Sequence, residues 1–217
     1  MEITWYGHSC FRISERAQTT VVCDPFDSHQ VGYEPLKLKA DIVTISHDAP
    51  SHNFLKAVKG SPYVITGPGE YEVGGVFITG VSTNGHSKKN TDITPNALYL
   101  IEYNGINLVH LGDMDQVPTQ SQVEELGPVQ VALVPVGGGS SLSANKAAEV
   151  ISLLEPNIVI PMHYATAAST IPLEPISKFL KEMGLSEVET LTSLKINAGE
   201  ALPEETRVVV LEYAHSV

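Results

Sequence analysis

The chain has 217 residues, 42% hydrophobic and 18% charged, enough apolar sequence to bury a sizeable core and too much for a disordered chain. Its 13 Lys and Arg against 25 Asp and Glu leave a net charge of −12, which opposes docking on a polyphosphate backbone, and Lys88-Lys89 is too small a basic patch to reverse it. The opening "MEITWYGHSC" is acidic and amphipathic rather than a basic leader, and nowhere do about 18 apolar residues run together, so the sequence predicts a cytoplasmic protein with no nucleic-acid or membrane partner.

In chain order, the first elements are strands. "EITWYG", "CFRI" and "TTVVCDP" carry β-branched and aromatic residues between polar turns and predict a meander. "ADIVTIS" (40–46) is a further strand, "HNFLKAV" after it is short but helix-compatible, and Gly60-Ser61-Pro62 is a breaker. "YVIT", "EYEV" and "GVFITGV" read as more sheet between Gly-rich turns. "ALYLIEYNGINLVHLGD" predicts a hairpin: two alternating apolar runs joined by Asn104-Gly105, a preferred type I′ pair. Beyond residue 113 helices and strands alternate. "TQSQVEEL" is helical, "VQVALVPV" a buried strand, "LSANKAAEVISLLE" helical with Ser143 as N-cap, "NIVIPMH" a strand, "LEPISKFLKEMG" helical with Gly184 as its stop, and "RVVVLEY" a last strand. Two sheets packed together with helices outside account for this order, in a single domain over 1–217, since no Pro- or Ser-rich linker divides it. Cys10 and Cys23 sit in apolar strand-like sequence, which predicts buried free thiols and fits a reducing compartment.

Chemistry-bearing residues collect where strands end. His47 and Asp48 follow the 40–46 strand, His52 comes shortly after, His86 lies in the loop "STNGHSKKN", Asp113 closes the second strand of the hairpin, and His163 closes "NIVIPM". Strand ends of a sandwich can be delivered to one rim, and imidazole with carboxylate is a ligand set that zinc or iron prefers. Spacing alone leaves this open, because scattered residues can be set on a rim in many folds. His29 and His215, in polar contexts, are expected at the surface. His110, three residues before Asp113 inside a strand, is expected to be structural. "GGGSS" (137–141) lacks the Gly-Lys-Ser/Thr ending of a phosphate loop and reads as a turn bordering a pocket.

Taken in order, "WYGHSCFRI", "VVCDPF", "VTISH", "GPGEYEVGGVFITGV", "LVHLGDMD", "VALVPVGGG" and "IVIPMHY" resemble the metallo-β-lactamase-fold hydrolases. Within them the chain is similar to a small bacterial branch that includes the L-ascorbate-6-phosphate lactonases. The resemblance covers nearly the whole chain and implies an α/β (α+β) fold, a four-layer αββα sandwich of two mixed β-sheets. The family motif His-x-His-x-Asp-His falls on "HDAPSH", keeping His47 and His52 but with Ala49 and Ser51 in place of the middle histidine and the aspartate.

Carried over only where residues match, the resemblance implies a first metal site retaining His47, His86 and a bridging Asp113, and a second retaining His52, Asp113 and His163. The implied cofactor is zinc, one or two ions, with manganese or iron as alternatives, or none. Asp113 is then ligand and proton acceptor, Asp48 is the one nearby carboxylate that can compensate for Ser51, and His8 and Asp24 orient ligands from behind. Two functions stay open. One is a metal-dependent hydrolase of a small ester, lactone or phosphoester that uses a metal-activated water at an altered centre. The other is a catalytically silent member that binds a ligand or partner without hydrolysis.

Overall fold

A computed structural model describes residues 1–83 and 95–215. β1 (Glu2–Trp5), β2 (Phe11–Ser14) and β3 (Val21–Cys23) form the expected antiparallel meander, with Glu2 opposite Ser14 and Phe11 opposite Cys23. Alternation along β1 and β2 sends Ile3, Trp5, Phe11 and Ile13 into the core. A one-turn helix α1 (Ser28–Val31) and a short β4 (Leu38–Lys39) lead to β5 (Ile42–Thr44), which runs parallel to β3. The helix-compatible stretch after it forms only a 3-10 turn over Leu55–Ala57 before β6 (Val58–Lys59). Seven residues ending at a Gly-Ser-Pro breaker are too few to offset helix nucleation. β7 (Tyr63–Ile65) then pairs parallel with β5.

β8 (Gly69–Val73), β9 (Val76–Thr83), β10 (Asn96–Tyr103) and β11 (Ile106–His110) are successive antiparallel neighbours. The β10–β11 turn has Asn104 at φ 55° and Gly105 at φ 76°, the two positive values that a type I′ turn requires. The alternating part follows as predicted: α2 (Gln120–Leu126), β12 (Val131–Pro135), α3 (Ala144–Leu154), β13 (Ile158–Met162) and α4 (Ile176–Glu182). Thr119 and Gln122 make a reciprocal capping box on α2, whereas the Ser143 hydroxyl at the start of α3 bonds Asn145 Oδ1 instead of a backbone N–H. Two short strands that the sequence pattern does not mark, β14 (Glu189–Leu191) and β15 (Leu194–Lys195), precede β16 (Arg207–Leu211).

The strand orders are β15-β1-β2-β3-β5-β7 and β14-β16-β13-β12-β11-β10-β9-β8. Both sheets are mixed, and their inner faces share one core in which Trp5, Phe11, Tyr99 and Ile160 are fully buried. The outer layers are unequal. α2 and α3 pack on the second sheet and α4 packs against α3, while the first is covered by α1, the 3-10 turn and the β4–β6 ribbon, whose apolar cluster includes Val22, Phe26, Val31 and Val43. Cys10 and Cys23 are buried and free, and burial pushes the Cys23 thiol up to about 12. No helix among the described residues is long and apolar enough to cross a membrane.

Parallel pairing decides where the chemistry goes. β3 and β5 end on one side of the first sheet, and β11, β12 and β13 end together in the second. The two groups of ends are tied across the sandwich where the Ala97 N–H donates to the Ser46 carbonyl at 2.7 Å and the Tyr99 hydroxyl to the Ile45 carbonyl at 2.8 Å. One rim therefore receives carboxyl-terminal strand ends from both sheets, the usual place for a site in open α/β sheets.

Candidate metal centre

Five chain segments bring side chains to this rim. The β1–β2 turn supplies His8, the end of β3 supplies Asp24, and the residues after β5 supply Ser46 and His47. The loop that follows folds back on Ala49, whose carbonyl accepts from the backbone N–H of both His52 and Asn53 at 2.8 and 2.7 Å, and so returns His52 to the site. The ends of β11 and β13 supply Asp113 and His163. Six non-glycine residues among those described have positive φ, and three of them, His8 (50°), Asp24 (43°) and His163 (52°), stand here. Such strain costs about 1–3 kcal/mol per residue and gathers where side-chain placement matters more than backbone ease. Two glycines permit close approach: a Cβ on Gly112 would lie 2.4 Å from Ser46, and one on Gly137 would lie 2.2 Å from the His163 carbonyl.

The hydrogen bonds fix which ring nitrogen each histidine presents. Asp24 accepts from the Ser46 N–H and hydroxyl at 2.7 and 2.6 Å, and its Oδ2 receives His52 Nδ1–H at 2.8 Å. Because the Ser46 hydroxyl already donates to Asp24, it accepts from His47 Nδ1 at 3.3 Å. Ser141 repeats the device: its hydroxyl donates to the Gly138 carbonyl at 3.0 Å and accepts from His163 Nδ1 at 3.0 Å. With Nδ1 committed, His47, His52 and His163 each keep the Nε2 lone pair for the rim. Asp113 is set by its own N–H, which donates to Asn96 Oδ1 at 3.0 Å, and its Oδ1 is buried without a hydrogen-bond partner, 3.4 Å from His163 Nε2.

Electrostatics keep every one of these donors but His52 in the form a cation needs. Burial lowers the His163 pKa to about 4, against the opposing pull of Asp113. Burial likewise lowers His47 and His8, with the neighbouring imidazoles adding to the shift at each. Burial works against the charged His52 too, but the Asp24 hydrogen bond and charge outweigh it and raise the pKa. For Asp24, burial is outweighed by His110, His52 and Ser46, which hold the carboxyl at about 2; Asp113 is lowered in the same way by His163 and His52. Near neutral pH a carboxylate oxygen and an imidazole lone pair thus face each other at 3.4 Å with no proton between them. A divalent cation satisfies that arrangement.

Among the described residues, two donor triads lie close enough to hold an ion, His47–His52–Asp113 and His8–His52–His163, each with its ligand atoms within 4.8 Å of one another. The structure therefore brings together His47, His52, Asp113 and His163, with Asp24 directly behind His52 as expected. His86 lies outside the described residues. Asp48 does not join: it is exposed, and its Oδ1 accepts from Asn53 Nδ2 at 2.8 Å. It lines, with His47, Asn53, Thr66 and Asn96, a cavity of about 380 Å3 beside the donors. His29 and His215 are exposed, as expected. Sequence reasoning missed Ser46, Asn96 and Ser141. Ser141 carried a signal, because a buried-strand end followed by Gly-Gly-Gly and serines places small hydroxyls beside whatever the next strand end delivers.

Comparison with known proteins adds the following. The model of the beta-lactamase superfamily domain matches residues 2–163. A UPF0173 protein of Pyrococcus furiosus is 29% identical over 210 residues, which cover 84% of this chain and 90% of that protein. A UPF0173 metal-dependent hydrolase of Thermococcus onnurineus is 29% identical over 195 residues, covering 76% and 85%. Among solved structures, a Thermotoga maritima protein described as a candidate Zn-dependent hydrolase of the metallo-β-lactamase superfamily superposes with a TM-score of 0.78, at 39% identity and 97% coverage of both chains.

Proposed function

The chain belongs to the metallo-β-lactamase superfamily, and from that membership and its convergent donors we propose that it is a metal-dependent hydrolase of a small ester, lactone or phosphoester, working at an altered metal centre. The names of its Thermococcus and Thermotoga relatives support the reaction class. The observation that carries the reading is the shared orientation of His47, His52 and His163: a hydroxyl or carboxylate takes each Nδ1, and the buried Oδ1 of Asp113 has no hydrogen-bond partner and lies 3.4 Å from His163 Nε2.

His47, His52, Asp113 and His163 would hold zinc, with manganese or iron as alternatives of the same ligand preference. An ion held by them supplies a Lewis acid and a water whose pKa falls from about 15.7 toward 7. The remaining work belongs to the chain. Asp24 and Ser141 fix the rings of His52 and His163, and Asp113 Oδ1 is placed to accept a proton. The cavity beside His47, walled by Asp48, Asn53 and Asn96, admits a substrate of small-molecule size and orients its polar groups by hydrogen bonds. Ala49 and Ser51 favour the second reading, a member that binds without hydrolysis. A panel of aryl esters, lactones and phosphoesters, assayed with chelator-stripped and zinc-, manganese- or iron-loaded protein, separates the two. The hydrolase reading expects turnover that depends on metal and is lost in Asp113→Asn. No turnover across the panel with metal demonstrably bound would replace it with the binding reading.

A further inference from the structure

We propose that His8, which lies outside the "HDAPSH" segment, is itself a metal ligand, and that the ion is held by His8, His52 and His163. The inference rests on the metal-dependent reading above and narrows its ligand set: of the donors named there, His52 and His163 bind the ion together with His8, while His47 and Asp113 flank its open position.

The three rings are 1%, 1% and 2% exposed, so none can turn to water for a hydrogen-bond partner. His8 Nε2 lies 3.2 Å from His52 Nε2, and the His8 ring centroid lies 4.8 Å from that of His52 and 4.3 Å from that of His163. Since the Nδ1–H bonds to Asp24 and Ser141 leave lone pairs on the Nε2 atoms of His52 and His163, His8 faces acceptors rather than donors. Without an ion its one recourse is to donate Nε2–H to His52, which strands His8 Nδ1 as a buried acceptor with no partner, at a cost of about 1–3 kcal/mol. With an ion, three lone pairs meet one charge. The spacing agrees: metal–nitrogen bonds of about 2.0–2.1 Å in a tetrahedral shell put ligand nitrogens about 3.3–3.4 Å apart. Three histidines with a fourth position open is a catalytic zinc shell.

The backbone holds His8 in this place. Its φ of 50° aims the side chain inward, and its carbonyl accepts from the His163 N–H and from Trp5 Nε1–H, both at 3.0 Å, so the two ligands are joined through the main chain. His52 belongs to both donor triads but has only one free lone pair, so the triads draw on a single ion.

The test uses cobalt(II) added to chelator-stripped full-length protein, read by its visible d–d absorption and by competition with a chromophoric chelator. His8→Asn is the variant, because asparagine tolerates a left-handed backbone, and the melting temperature of the stripped protein checks that it folds. Expected are one tightly bound equivalent in the wild type and, in His8→Asn, an affinity at least about 10-fold lower with a changed spectrum. An unchanged affinity and spectrum would overturn the role of His8 and leave the hydrolase reading standing. A wild type that takes up neither cobalt nor zinc would overturn both. Should His8→Asn fail to fold, the cobalt-loaded wild type with ring-labelled histidine is examined by paramagnetic NMR and its hyperfine-shifted imidazole signals are assigned by residue: a directly bound His8 is expected among them, and a bound set of His47, His52 and His163 without His8 would overturn the proposal.

Discussion

His110 is as buried as the rim histidines His8, His52 and His163, yet the protein treats them in opposite ways. In the interior, His110 Nε2–H donates to the Ser9 carbonyl at 2.9 Å, Nδ1 accepts the Gly112 N–H at 3.2 Å, and the ring packs edge-on to Phe11. One tautomer meets every demand of that ring. At the rim, a serine hydroxyl or Asp24 takes the Nδ1 of His47, His52 and His163, the Nε2 atoms of His52 and His163 face His8 and Asp113, and His8 Nδ1 is left without a partner. Burial alone therefore says little about what a histidine is for. A ring with both nitrogens served by the backbone is part of the fold, and a group of rings whose Nε2 atoms meet only one another and a carboxylate is a candidate ligand set.

The contrast is sharpest at His52, the member common to both triads. His52→Ala is expected to lower zinc affinity by more than about 100-fold, beyond the range for a residue that only supports a ligand; chelator competition measures it. His110→Leu should do the reverse. It leaves the Ser9 carbonyl and Gly112 N–H unpaired and lowers unfolding stability by about 2–4 kcal/mol in a denaturant titration, while zinc affinity changes by less than about 10-fold.

On the proposed reading, protons and the ion compete for the same lone pairs. In the stripped protein His163 titrates at about 4, below its ordinary value of about 6.5, so the unfolded chain binds more protons between those values. Stability is expected to fall as pH drops from about 6.5 to 4, by on the order of 2–3 kcal/mol. A second loss follows from about pH 4 down to 2 as Asp24, held at about 2, is protonated. Thermal melts across pH measure both, and a flat profile between pH 7 and 4 would contradict the neutral, buried state assigned to His163. The smallest effect is expected for Ser141→Ala, which removes the acceptor that orients His163 and should weaken zinc binding by about 10- to 100-fold with little change in the fold.

Much of the fold was legible because local patterns agreed with the tertiary structure. The Asn104-Gly105 turn, the alternation in β1 and β2 and the apolar runs of β12 and β13 each specify their element without help from distant residues. β14 and β15 were not legible: β15 is two residues long and exists because Leu194 and Lys195 find the edge of β1, a long-range pairing with no local signature. At the site, residue type and strand-end position pointed to His47, His52, Asp113 and His163. Their supports were hidden, since Ser46, Asn96 and Ser141 act through the direction of one hydrogen bond, which no spacing encodes. Asp48 shows the converse, a carboxylate adjacent in sequence to the rim residue His47 whose side chain bonds Asn53 on the cavity wall.

The measurement that tests the account most directly is metal content per chain by elemental mass spectrometry, on tag-free protein purified without chelator and then supplemented with zinc, manganese or iron. The convergent Nε2 atoms predict about one ion per chain in the wild type and none in His52→Ala. A value near zero for the wild type under every supplementation would contradict the account.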